Sequence, residues 1–186
     1  GGINLAEGTI TVANNQALGA NGQVVTIADG ATLDTAGALS ANRDYEAVIT
    51  GNGLAGEGAI VNTGADHQSG FRSLTLNGPA SVGGTGRWDV RPLTAGTGAI
   101  NLNGNTLTKL GSNIIAFVDG SIPTDGSIDI NSGVLSLTRM TAGGAGSINA
   151  NNGATLRFEN NTGTYSSAKA ISINDATAHL TGSAVH

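Results

Sequence analysis

Short runs in which apolar and polar residues alternate recur along the chain, and each is closed by a glycine. The clearest are Ile3-Asn4-Leu5-Ala6-Glu7-Gly8, Val25-Thr26-Ile27-Ala28-Asp29-Gly30, Ile100-Asn101-Leu102-Asn103-Gly104, Ile128-Asp129-Ile130-Asn131-Ser132-Gly133 and Ile148-Asn149-Ala150-Asn151-Asn152-Gly153. With Gly53 and Gly78, which follow Ala47-Val48-Ile49 and Leu74-Thr75-Leu76, the closing glycines stand 20 to 29 residues apart. Period 2 sends alternate side chains to opposite faces of a strand. Repetition at this stride marks a solenoid, in which each unit buries its apolar face against the next. The best helical stretch, residues 39–48, is short, and elsewhere glycine interrupts before a helix can form.

The Asn-Gly pairs starting at Asn21, Asn52, Asn77, Asn103 and Asn152 offer an alternative, antiparallel hairpins with tight turns. Register tests it, because apolar residues must then face one another across each turn. Turns at Glu7-Gly8 and Ser132-Gly133 pass. Turns at Asp29-Gly30, Asn103-Gly104 and Asn152-Gly153 set Val25 against Asp34, Leu102 against Asn105 and Ile148 against Arg157. A corner between faces of a parallel coil carries no such requirement, since each strand stacks on its equivalent one coil away. The expected fold is therefore all-β, a right-handed parallel β-helix (solenoid) of about seven or eight coils and about 35–40 Å in length at ~4.8 Å per coil. It spans residues 1–186 as one segment. Ile3, Leu5, Ile27, Leu33, Ile100, Leu102, Leu107, Ile128, Ile130, Ile148, Leu156, Ile171 and Ile173 are expected to line one continuous core. Asn77, Asn103, Asn131, Asn151 and Asn174 suit corners, where they adopt left-handed backbone and ladder between coils.

Composition sharpens this picture. Glycine accounts for 30 of 186 residues, aromatics for 3% and charged residues for 11%, against about 25% charged in an ordinary domain. A narrow interior filled by Val, Ile, Leu and Ala needs few aromatics. The formal charge is −5, and the eight basic residues are scattered, which argues against nucleic acid as a partner. Without cysteine there is neither a disulfide nor a thiolate metal site. No run approaches the ~20 apolar residues of a membrane span, so no membrane insertion is expected. The opening Gly1-Gly2-Ile3 starts inside a repeat, as a piece of a longer surface protein would.

Gly2-Ile3-Asn4-Leu5-Ala6-Glu7-Gly8-Thr9-Ile10-Thr11-Val12, followed by Ala17-Leu18-Gly19 and residues 24–34, resembles the autotransporter-associated β-strand repeat of bacterial autotransporter passenger regions and very large surface proteins. Residues 50–64, Gly83-Gly84-Thr85-Gly86-Arg87-Trp88-Asp89-Val90-Arg91 and residues 102–111 resemble segments that follow it in such proteins. The likeness covers most of residues 2–138, and from Met140 onward only the β-helix pattern carries it. The resemblance implies an extracellular or cell-surface β-helical stalk serving adhesion or matrix, with no catalytic residues to carry over. The membrane barrel of autotransporters, with its aromatic-girdled strands, has no counterpart in this sequence.

The most distinctive chemical point is Arg87-Trp88-Asp89-Val90-Arg91. An exposed tryptophan there would stack on a sugar or a partner chain, which makes Trp88, Arg87 and Arg91 the candidate surface contact. Period 2 gives the opposing reading: Trp88 and Val90 face the core, and Arg87, Asp89 and Arg91 form an ion-pair cluster outside. Asp119, Asp125 and Asp129 lie close in sequence, and paired carboxylates bind calcium or act as acid and base. Their spacing lacks the cadence of a calcium loop, which favours solvated turn residues. His67, His179 and His186 are the only imidazoles, none at metal-ligand spacing from another. Thr9-Ile10-Thr11 and Leu74-Thr75-Leu76 lack the coil-after-coil register of an ice-binding array.

The chain thus reads as a non-enzymatic structural or adhesive segment, with neither cofactor nor metal. Neither end looks capped, so the expected partners are copies of itself stacked end to end, or further coils in covalent continuation, together with host or matrix glycans or proteins. The alternatives are a carbohydrate-active β-helix enzyme, lyase or hydrolase, whose carboxylates would converge in a cleft, and a receptor-binding fibre segment.

Overall fold

The structure is a computed structural model and describes residues 2–40, 42–159 and 167–181. Among the described residues all strand pairings are parallel, and paired residues stand 19 to 29 positions apart in sequence. That excludes the hairpin alternative. The chain is a β-solenoid of about eight turns, as alternation and stride predict.

The strands stack in three columns. One holds β1 (Ile3–Leu5), β3 (Val24–Ile27), β5 (Asp44–Gly51), the first half of β7 (Gly70–Gly84), β9 (Gly98–Asn101), β12 (Gly120–Ile122) and β15 (Thr141–Ala142). The second holds β2 (Gly8–Thr11), β4 (Ala31–Asp34), β6 (Ile60–Asn62), the second half of β7, β10 (Thr106–Lys109), β13 (Ser127–Ile130), β16 (Ser147–Asn151) and β18 (Ala170–Asn174). The third joins the leading ends of β5 and β7 to β8 (Trp88–Val90), β11 (Ile114–Val118), β14 (Val134–Thr138), β17 (Thr155–Glu159) and β19 (Thr177–Thr181). In the first two coils turns replace this third column, and Leu18 and Leu39 fill the interior.

Inward residues form rows along the axis. Leu107, Ile128, Ile148 and Ile171 make one, and Tyr45, Phe71, Val90, Phe117, Leu137, Phe158 and Leu180 another. A strand of four residues offers only two inward side chains, so its burial depends on the equivalent strands above and below. Ile171 and Ile173 depart from the expected core: they are 44% and 39% exposed, because β18 pairs only with β16 among the described strands. Ile3 is half-buried for the same reason at β1.

Of the five asparagines expected at left-handed corners only Asn103 takes that backbone (φ 51°), and Asn152, outside that set, takes it too (φ 52°); Asn77 lies inside β7, and Asn131, Asn151 and Asn174 are not left-handed. Asn151 Nδ2 donates to Asn131 Oδ1 (3.2 Å) and Asn174 Nδ2 to Asn151 Oδ1 (3.0 Å), the expected amide ladder. At Gly111 (φ 73°) a Cβ would collide with the Gly84 carbonyl of the adjacent coil. The helical stretch at 39–48 does not form: β5 takes its second half, because Tyr45, Ala47 and Ile49 pair with Phe71, Leu74 and Leu76. The described residues contain no α-helix, only a single-turn 3-10 helix at Leu54–Gly56, and none long and apolar enough to cross a membrane.

Ile128 is fully buried between Leu107 and Ile148. Ile128→Asp would bury a charge with no partner and is expected to abolish the folded state, seen as loss of the β signal in circular dichroism and of protease resistance. Ile130 is a poorer test, since its neighbour in the row is Lys109, whose ammonium would meet the new carboxylate.

Candidate functional site

Trp88 is fully buried. Its ring meets Phe71 edge-on, centroids 5.9 Å apart and planes at 72°, and its Nε1 donates to the Gly83 carbonyl at 3.0 Å. Register is the cause: Trp88 stands in the inward row with Ile115 and Leu135. The surface contact expected of Trp88 is therefore corrected, since its ring has no free face.

Arg87 and Arg91 lie outside, and both are engaged. Arg87 grips the two Asp89 oxygens through Nε (2.8 Å) and Nη2 (3.0 Å), and Arg91 Nη2 donates to Asp89 Oδ2 at 2.9 Å. Hydrogen bonding to Asp89 raises the Arg87 pKa above its ordinary value. Asp89 was expected on the surface but is fully buried. The small residues Gly70 and Ala116 flank it in the neighbouring coils, and the two guanidiniums roof it. With both oxygens occupied it is no free base. The strip continues through Ala116 and Ser136 to Arg157, where Arg157 Nη1 donates to Glu159 Oε1 (3.0 Å) and Ser136 Oγ to Glu159 Oε2 (3.0 Å).

Asp119, Asp125 and Asp129 do not converge. Arg139 holds Asp119 through two bonds of 2.5 and 2.7 Å and lowers its pKa. Asp125 accepts from the Ala145 N–H (2.7 Å) and Asp129 from Asn149 Nδ2 (2.7 Å). Each carboxylate ties its coil to the next, a role beyond the solvated turn residue expected. No group of three or more His, Cys, Asp or Glu suited to a metal ion occurs among the described residues.

A groove of about 310 Å³ lies over the corner that follows the second column, lined by Gly56, Glu57, Val61, Thr63, Gly84, Thr85, Leu110 and Gly111. It offers one carboxylate, two hydroxyls and glycine backbone. Glycoside hydrolysis by the usual route needs a second carboxyl group facing the first.

Inside the same corner runs a line of buried polar side chains: Thr35, Asn62, His67, Asn113 and Lys109. Asn62 Nδ2 donates to the Ala65 and Arg87 carbonyls (2.8 and 2.9 Å), and its oxygen accepts from the Gly37 and Gly64 N–H groups (2.7 and 3.0 Å). Asn113 Nδ2 donates to the carbonyls of Gly83 (3.1 Å) and Gly86 (2.8 Å). His67 Nδ1 lies 2.8 Å from the Ser69 carbonyl, so that nitrogen carries the hydrogen, and Nε2 lies 2.9 Å from Thr35 Oγ1. Sequence reasoning missed this line, although alternation sets Lys109 on the face of Leu107 and Asn62 on that of Ile60. His179 is exposed, and His186 lies outside the described residues.

Compared with family models, curated proteins and solved structures, the chain finds no match.

Two outcomes follow from this geometry. Asp89→Ala removes the hydrogen bonds of two guanidiniums that still reach solvent and is expected to cost about 1.5–3 kcal/mol, read as a lower urea midpoint beside a control Glu7→Ala at an exposed position. Burial lowers the His67 pKa, with the Ser69 carbonyl and the charges of Asp89 and Asp66 opposing it. Below 6.5, its ordinary value, the unfolded chain then binds the proton before the folded one. Stability supplied by neutral His67 is complete above that pH and lost as pH falls through the window beneath it. Urea midpoints between pH 7 and 5.5, tracked in wild type and His67→Gln, should show a steeper fall in the wild type.

Proposed function

We propose that this chain is a non-enzymatic structural segment of an extracellular or bacterial surface protein, a stiff β-solenoid that extends, assembles or adheres by contact along its length and at its ends. The observation that carries this reading is the mismatch between the last described coil and the coil beneath it. Ile171, Ile173 and Leu180 pair in register with Ile148, Ala150 and Phe158. The lower three are 0%, 0% and 7% exposed, the upper three 44%, 39% and 50%. Coil eight thus repeats an interior row, and among the described residues no strand covers its upper face, which suits one more coil stacked upon it, supplied by covalent continuation or by another copy.

The dispersal of the acidic side chains into separate inter-coil ties also favours a scaffold over a turnover site. The resemblance of residues 2–34 to the autotransporter-associated repeat, and of later windows up to 138 to segments that follow it, with the amide- and hydroxyl-rich composition, favours the cell surface or the extracellular space. Glycans or proteins of a host or matrix are the corresponding partners.

Electron microscopy and mass photometry of the native material test this. Rods or filaments longer than about eight coils are expected, at ~4.8 Å per coil. Isolated 18.3 kDa monomers that turn over a glycan would overturn it.

A further inference from the structure

The chain has only two lysines, Lys109 and Lys169, and both are buried, 1% and 3% exposed. The hydrogen bonds of each ammonium go to backbone carbonyls. Lys109 Nζ donates to the carbonyl oxygens of Leu110 (2.7 Å), Gly111 (2.9 Å) and Ser132 (3.1 Å). Lys169 Nζ donates to those of Thr124 (3.0 Å), Gly126 (2.9 Å) and Ala145 (2.9 Å).

An ammonium has three N–H donors and no acceptor, so three carbonyls satisfy it completely. A neutral amine would bring two donors and aim its lone pair at the third oxygen. Each cage draws its oxygens from two successive coils, and each includes a glycine of positive φ, Gly111 (73°) or Gly126 (129°). Converging backbone carbonyls are what proteins use to replace the water around a small cation. The Lys109 stem meanwhile fills an apolar row, between Val82 and Ile130.

We propose that these two carbonyl cages are sites for a small N–H cation, each kept filled by the chain's own tethered ammonium. The class of free ligand they would take, once the side chain is removed, is ammonium or a primary alkylammonium. The cage also opposes burial: desolvation alone would push the Lys109 pKa down to about 7, and the three oxygens, by bonding the charged form, counter that shift.

The test is chemical rescue. Lys109→Ala is expected to lower the folding equilibrium constant at least roughly tenfold, since it leaves buried carbonyls unpartnered. At matched ionic strength methylammonium chloride should restore much of that loss, and tetramethylammonium chloride, equal in charge but without N–H, should not. Equal responses to the two salts, or a Lys109→Met variant as stable as wild type, would overturn the proposal.

Lys169→Ala repeats the measurement in the last described coil should Lys109→Ala fail to fold. Wild type supplies a second readout. Were Lys109 neutral in the folded state, the unfolded chain would hold the extra proton between about pH 7 and the ordinary lysine range. Wild type would then gain stability over Lys109→Met as pH rises from 7 to 9. A caged ammonium predicts a constant difference, and a climbing one would overturn it.

Discussion

A solenoid built mostly from strands three to five residues long has to turn a corner several times in every coil, and the turns decide whether it holds together. Along the straight segments each backbone N–H and C=O meets a partner one coil away. At corners the chain rotates, some carbonyls point inward, and the ladder cannot reach them. A buried carbonyl without a donor costs about as much as a lost hydrogen bond or more. Here the donors are side chains placed where the interior is otherwise aliphatic: Asn62, Asn113, the indole of Trp88 and the two lysines. The apolar rows depend on this, because Ile60, Val82 and Ile130 can stack only if the corners beside them close.

That view separates two kinds of polar residue. Those on the outer faces, such as Asp129 with Asn149 or Ser127 with Ser147, tie neighbouring coils where water could also serve. Those inside corners have no such substitute. The Arg87–Asp89–Arg91 clamp is intermediate, with a carboxylate sealed from solvent and guanidiniums that are not.

The strands, their parallel stacking and the amide ladder of Asn131, Asn151 and Asn174 were legible in the sequence, because alternation and glycine spacing act locally and repeat. Ile27, Leu107 and Ile128 could be placed inside from two neighbours each. What escaped was the coil-to-coil partner. The burial of Asp89 follows from Gly70 and Ala116, one residue 19 positions before it and the other 27 after, and the exposure of Ile173 from its having a single described neighbour strand. Lys109 was hidden differently: its residue type suggests solvent, and only its place in the alternation points inward. The weak helical candidate near residues 39–48 yielded to β5, whose pairing with β7 outweighs any local preference.

Near-identical coils raise a hazard that ordinary domains escape. A growing strand can dock one repeat too early or too late and still find a ladder and an aliphatic row to join. Lys109 breaks that degeneracy. Shifted by one coil, its ammonium would keep the carbonyls of Leu110 and Gly111, which travel with it, but would lose that of Ser132 in the next coil. A residue that appears once in a row of otherwise interchangeable neighbours marks the frame, and misaligned assembly carries the penalty of a buried N–H donor left unpaired.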